Sequence, residues 1–260
     1  MSATPDSIFP LEAPLKLSPG DYISEEPVTL HIKDKFLSYI GSGFNITNTK
    51  TGERAFKVES KLFSLSGTMI FESPDGKTDL FRLRYHPLEG GYFLAERLDM
   101  LDPNSIFSGP ENMVMFTVEE TKIPDGTKTY AASLYLVRGN KAVRGPRLYL
   151  RGGFDGGEIV LSTTGQVVAV ISRTSEDAFG KMAQEKEPDS YFVTVAPGMD
   201  YAAVAGIAVC FNELHNKVSK SHTGSQRESR SASRIGSRSA SRAASRSRNA
   251  SPRRQTEGEI

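Results

Sequence analysis

The chain has 260 residues, of which 38% are hydrophobic and 24% charged, enough for one large β domain or two smaller ones. Its net charge of +1 conceals two regions: residues 1–216 hold 21 Lys+Arg against 28 Asp+Glu, or −7, and residues 217–260 hold 11 against 3, or +8. Net charge excludes the body as a nucleic-acid binder, while the tail suits a polyanion.

The only cysteine, Cys210, makes no internal disulfide and no cysteine-rich metal site, which fits a reducing compartment. MSATPDSIFPLEAPLKLSPG has neither the basic nor the apolar region of a signal peptide. No apolar run reaches transmembrane length, and the C-terminus has no prenylation cysteine. A cytoplasmic monomer with no integral membrane span is expected, with the nucleus as the alternative.

Residues 1–24 carry Pro5, Pro10, Pro14 and Pro19 and read as an extended arm along the surface. From residue 25 to 216 the pattern is that of one β domain. VTLHIK and FLSYIGSGFNIT lead to a turn near Gly52, and RAFKVES then alternates, with Phe56 and Val58 on one side. TMIFESPDGKTDLFRLRYH is a hairpin about Pro74-Asp75-Gly76. Within it Phe81, Leu83 and Tyr85 face one way and Arg82 and Arg84 the other, as on a strand with one wet face.

His86 to Asn112 is rich in Pro and Gly and reads as one strand or short helix between long loops. MVMFTVEET turns at Pro124-Asp125-Gly126 and returns through TKTYAASLYLVRG. RLYLRGG, GEIVLSTTG and QVVAVISR follow, then a helical turn or two over 175–183, then SYFVTVA. This makes about twelve short strands, the spacing of an all-β sandwich or barrel.

Next comes APGMDYAAVAGIAVCFNELHN, residues 196–216. Pro197 and Gly198 stop the preceding strand, and Asp200 is placed to cap a helix beginning at Tyr201. No charge interrupts Tyr201 to Phe211, so Tyr201, Val204, Ile207, Ala208 and Phe211 leave no face for water, and such a helix must be surrounded. Eleven residues rise about 16 Å, short of a bilayer core of roughly 30 Å. So many twisted strands tend to close, and a barrel that wide needs something apolar in its lumen. The expected fold is mainly β: a closed antiparallel barrel of about twelve strands around a central hydrophobic C-terminal helix.

YFVTVAPGMDYAAVAGIAVCFNEL resembles the closing motif of LURP-one-related proteins, in which a strand, a Pro-Gly and an Asp introduce a central apolar helix. LYLRGGFDGGEIVLSTTGQVVAVISR is similar to the family segment before it, and AFKVESKLFSLSGTMIFESPDGKTDLFRLR to the early hairpins. The resemblance covers roughly residues 25–216. Three features depart from it: the chain has no tryptophan, 86–112 is longer than usual, and the basic tail lies outside the family pattern. The family sits in the wider Tubby C-terminal-like group with the phospholipid scramblases. The resemblance implies the same closed barrel about a hydrophobic helix, and it carries no activity with it.

The residues show no catalytic constellation, and no catalytic, metal or cofactor site is expected. His31, His86, His215 and His222 are scattered without a second ligand at metal spacing. Glu119 and Glu120 are neighbours on a strand and face opposite sides. Asp99 and Asp102 lack the spacing of a calcium loop. Cys210 reads as a small core residue. Arg82, Arg84, Lys57 and Lys61 read as an ordinary polar face. Arg138, Lys141, Arg144 and Arg147, which cluster in and after a VRGNKAVRGPR loop, are the better candidates for contact with an anionic lipid or a partner.

In the tail, Arg230, Arg234, Arg238, Arg242 and Arg246 recur every four residues, and Ser233, Ser237, Ser241 and Ser245 follow the first four at the spacing basic-directed kinases prefer. With almost no large apolar residue, segment 217–260 is expected to be disordered. Phosphorylation of its serines would cancel its charge. The expected function is that of a non-enzymatic binding or scaffold protein with a phosphorylatable basic tail, partnered by anionic phospholipid or protein. The alternatives are a scramblase-like, membrane-associated lipid-handling protein and RNA binding through the tail alone.

Overall fold

The β-prone runs between turn residues form strands in the computed structural model, which describes residues 8–34, 43–60, 67–87, 91–99, 113–123, 126–138, 141–153, 156–173 and 190–217. Twelve strands lie among these residues: β1 (Val28–Asp34), β2 (Gly43–Asn48), β3 (Arg54–Ser60), β4 (Met69–Glu72), β5 (Asp79–His86), β6 (Tyr92–Arg97), β7 (Val114–Lys122), β8 (Lys128–Arg138), β9 (Lys141–Arg151), β10 (Gly157–Leu161), β11 (Val167–Ser172) and β12 (Ser190–Val195). Each pairs antiparallel with its neighbours in sequence, and β1 pairs with β12, so the sheet closes into a barrel. Closure gives each row of backbone donors and acceptors a partner strand. At the seam Thr29 stands opposite Thr194, their hydroxyls 3.1 Å apart.

Alternation decides what each strand sends inward. On β5, Phe81 and Leu83 are fully buried, while Arg82 and Arg84 lie on the other face and reach Glu96 of β6. β3 behaves alike, with Phe56 and Val58 buried. Bulges interrupt the register near Ile46, Phe71, Ala95, Ser133 and Ile159, where an extra residue bends a strand and helps the wall to curve.

Among the described residues one helix, α1 (residues 201–217), runs back from the end of β12. Residues 202–211 are all buried, and α1 shares one core with inward side chains of strands around the barrel. Each Val, Ile or Phe so buried contributes about 1.5–3 kcal/mol, which is why an uninterrupted apolar helix is stable here. The ring of Phe81 stacks on Phe71 with centroids 4.5 Å apart and meets Phe116 edge-on at 6.3 Å. Gly206 passes directly beneath this row. A Cβ there would stand 3.0 Å from the Phe81 ring and 3.2 Å from Phe116.

Gly206→Ala therefore sets two effects against each other. Helix propensity favours alanine by about 1 kcal/mol, and overpacking a filled core costs about 1–3 kcal/mol. Both rings are fully buried with little room to yield, so the expected result is a net loss near 1 kcal/mol in denaturant unfolding.

The Pro-rich arm is bonded into the barrel mouth as well as lying over its surface. Leu15 forms a bridge with Met199 and Ile23 with Asp200, and Leu17 belongs to the core. Leu11 N–H donates to Pro197 O at 3.0 Å, Leu15 N–H to Gly198 O at 2.8 Å, and Tyr201 N–H to Tyr22 O at 3.0 Å. Gly198 takes a φ of +81° with Leu11 3.3 Å from where its Cβ would be, a reversal that suits glycine. Of the irregular stretch 86–112, β6 and its flanks are seen. The expected helical turns at 175–183, the strand residues before Gly43 and the tail from 218 onward lie outside the described residues.

Candidate functional site: the barrel mouth and the basic hairpin

Asp200 joins the arm, the last strand and the helix. Its Oδ1 accepts the N–H groups of Ala202 and Ala203, both at 3.1 Å, as an N-cap does. Its Oδ2 accepts Leu17 N–H at 3.0 Å and Ser18 N–H at 2.7 Å. The Ser18 hydroxyl lies 2.9 and 2.8 Å from the two carboxylate oxygens. The carboxylate is 1% exposed, so hydrogen bonds replace the water it has lost. Above it Tyr22 packs edge-on against Phe56 at 5.2 Å and Tyr201 at 5.5 Å. Burial raises the Tyr22 and Tyr201 hydroxyls above their ordinary pKa.

The basic cluster, expected in and after a loop, lies on the β8–β9 hairpin, because residues 141–147 pair with β8 as strand. Arg138 stands opposite Lys141, Tyr135 opposite Arg144, and Ser133 opposite Arg147. Arg144 is exposed. Arg147 is engaged: it donates to Glu119 of β7 at 2.8 Å and its guanidinium lies 5.3 Å from the Tyr149 ring centre. The structure therefore brings these residues to one hairpin but commits Arg147 to the wall.

Beside the hairpin is an outer groove of about 460 Å³, lined by Tyr92, Leu94, Thr117, Glu119, Tyr135 and Ala142 among others. Its residues come from four strands, and the sequence reading did not find it. Outward positions of β6 to β9 were readable singly, but their meeting depends on register.

The second basic group is neutralised. Arg82 Nε donates to Glu96 Oε2 at 2.6 Å, and Arg84 lies 3.4 Å from the same oxygen. Lys57 pairs with Glu59 at 2.5 Å and Glu72 at 3.3 Å, and the Glu59 hydrogen bond raises its ammonium above the ordinary range. Lys61 lies outside the described residues. Lys50–Glu26, Arg97–Asp99, Lys128–Glu120 and Arg151–Glu158 are further pairs.

Val204, Ile207, Ala208 and Phe211 are fully buried, and Tyr201 is half-buried at the arm. Cys210 is buried. His31 stacks on Phe192, and His86 on Tyr92; His215 is exposed near the end of α1. Asp99 pairs with Arg97. Asp102, His222 and the four tail serines lie outside the described residues. Among the described residues no three His, Cys, Asp or Glu side chains group as a metal site, and no helix is long and apolar enough to cross a membrane.

Tyr191, at the start of β12, is 3% exposed. Burial raises its hydroxyl pKa well above the ordinary 10.0, helped by Glu213, Cys210 and Asp34 and opposed by Arg173. The fold thus holds the neutral phenol. Below pH 10.0 both states keep the proton; above it the unfolded chain ionises first, and stability falls as pH rises. Tyr191→Phe should flatten that fall in unfolding experiments across alkaline pH. A residual slope is expected from Tyr22, Tyr130 and Tyr201, which are also raised.

A closed twelve-stranded barrel filled by one apolar helix is thus the class of protein the fold defines. Residues 28–212 match the LURP-one-related family, and the chain belongs to that family. It is also similar to a protein from Arabidopsis thaliana of known X-ray structure, with a TM-score of 0.47 and 21% identity over 75% of this chain and 94% of that one. No curated protein sequence matches it.

Proposed function

We propose that this protein is a non-catalytic binding and scaffold protein whose Arg/Ser tail seizes an anionic phospholipid surface and is released by phosphorylation. The observation that carries the reading is where the sequence concentrates basic residues in excess of acidic ones. On the barrel, Lys50, Lys57, Arg82, Arg84, Arg97, Lys128, Arg147 and Arg151 each have a carboxylate partner. In residues 217–260, 11 basic residues meet 3 acidic ones. The lumen is taken up by α1, so ligands meet the protein from outside. There the hairpin bearing Arg138, Lys141, Arg144 and Arg147 is the second point of contact.

Lipid is favoured over RNA because residues 217–260 contain no Phe, Tyr or Trp on which a base could stack. Each basic residue near an anionic membrane contributes about 1 kcal/mol. Each phosphoserine brings about −1.5 to −2, so four of them offset most or all of the tail's +8. The test is phosphatidylserine-vesicle binding by full-length protein with Ser233, Ser237, Ser241 and Ser245 changed to Glu. Binding should fall at least tenfold; unchanged binding would overturn the switch.

A further inference from the structure

We propose that Ser18, in the N-terminal arm, is a phosphorylation site that governs release of the arm from the barrel mouth. It is a second point of regulation, separate from the tail serines. Of residues 8–25 only Leu17 and Ser18 are buried; the others are half-buried or exposed. The arm is therefore a strap buried at one point. That point is the Ser18–Asp200 contact, with the Ser18 hydroxyl 2.9 and 2.8 Å from the carboxylate oxygens and the Leu17 and Ser18 amides on Oδ2.

A phosphate on Ser18 cannot share this place. It would bring about −1.5 to −2 of charge against a carboxylate that is itself 1% exposed. A helix N-terminus usually welcomes phosphate, but here Asp200 already accepts the amides of Ala202 and Ala203. The hydroxyl hydrogen that joins Ser18 to Asp200 would also be gone. Phosphorylation and the closed strap exclude each other.

The route to the hydroxyl is local opening of a segment whose other residues are half-buried or exposed. Once open, the segment presents Ser18 followed by Pro19, the dipeptide that proline-directed serine kinases accept. The reaction transfers the γ-phosphoryl group of a nucleoside triphosphate. The Ser18 Oγ–P bond forms, the bond from that phosphorus to the β,γ-bridging oxygen breaks, the hydroxyl proton passes to the kinase's base, and the nucleoside diphosphate leaves. The modified arm is then held open. Its departure removes Tyr22 from Phe56 and Tyr201 and Leu15 from Met199, baring an apolar patch at the mouth.

Trypsin cleavage after exposed Lys16 reads the open state, while hydrogen exchange of β5 and β7 amides reads the barrel. Ser18→Glu should be cleaved after Lys16 at least tenfold faster than wild type, with barrel protection retained. Ser18→Ala, which keeps both amide bonds to Asp200, should change much less. Unchanged cleavage in Ser18→Glu would overturn the proposal. So would loss of barrel protection, since the arm would then be part of the fold and no strap. A second measurement needs no variant. A proline-directed kinase is first chosen for its activity on a synthetic peptide of residues 11–24, and is then given the folded full-length protein with ATP. Phosphate on Ser18 with faster Lys16 cleavage supports the proposal; no phosphate on the folded protein, or phosphate without faster cleavage, overturns it.

Discussion

Ala205→Asp is expected to abolish cooperative folding. Ala205 is fully buried in α1, one residue before the glycine that passes beneath Phe81 and Phe116. A carboxylate there has neither water nor a built partner, and an uncompensated buried charge costs several kcal/mol even after relaxation. The added volume costs about 1–3 kcal/mol more. Against a total stability of about 5–15 kcal/mol, this leaves little or no native state. The same change at His215, exposed in the last turns of the helix, should cost about 1 kcal/mol or less through the helix dipole. Circular dichroism and urea unfolding of the two variants provide the comparison. A soluble, cooperatively folding Ala205→Asp protein would contradict the central placement of the helix.

Asp200→Ala is the second large effect. Losing the cap costs about 0.5–2 kcal/mol, and each buried amide left without an acceptor costs about 1–3 kcal/mol. The Leu17 and Ser18 amides are both in that position, so the expected loss is about 3–8 kcal/mol. Asp200→Asn separates the two roles. Its carbonyl can still cap Ala202 and Ala203, but its NH₂ would face the Leu17 and Ser18 donors. Asparagine should therefore free the arm while keeping most of the helix start. Urea unfolding gives the stabilities, and tryptic cleavage after Lys16 reports the arm. Cleavage after Lys16 at the wild-type rate in both variants would mean that the clasp contributes nothing.

These two residues also show where the sequence was readable. Ala205 lies in a run with no polar face, and the Pro-Gly-x-Asp before it marks a helix start by local chemistry alone. The barrel followed from counting strands and asking what fills the middle, and the inward Phe81 and Leu83 followed from alternation. The clasp had no such signal. Ser18 and Asp200 are 182 residues apart, and a Ser-Pro in a proline-rich arm looks the same bound or free. Likewise, Arg147 was readable as a basic residue on a strand, but its partner Glu119 is 28 residues away. Pairing across strands is set by register and bulges, and the groove lined by Tyr92, Thr117 and Tyr135 depends on the same information.

The central functional claim is that the tail, more than the barrel, carries affinity for an anionic surface. Co-sedimentation of full-length protein and a 1–216 truncation with neutral, phosphatidylserine and phosphoinositide vesicles, at low and physiological salt, tests it most directly. Full-length protein is expected to sediment with both anionic vesicles and to lose much of that binding as salt rises, while the truncation stays largely in solution. A truncation that binds phosphoinositide vesicles as tightly as full-length protein would contradict it and place the lipid site on the barrel wall.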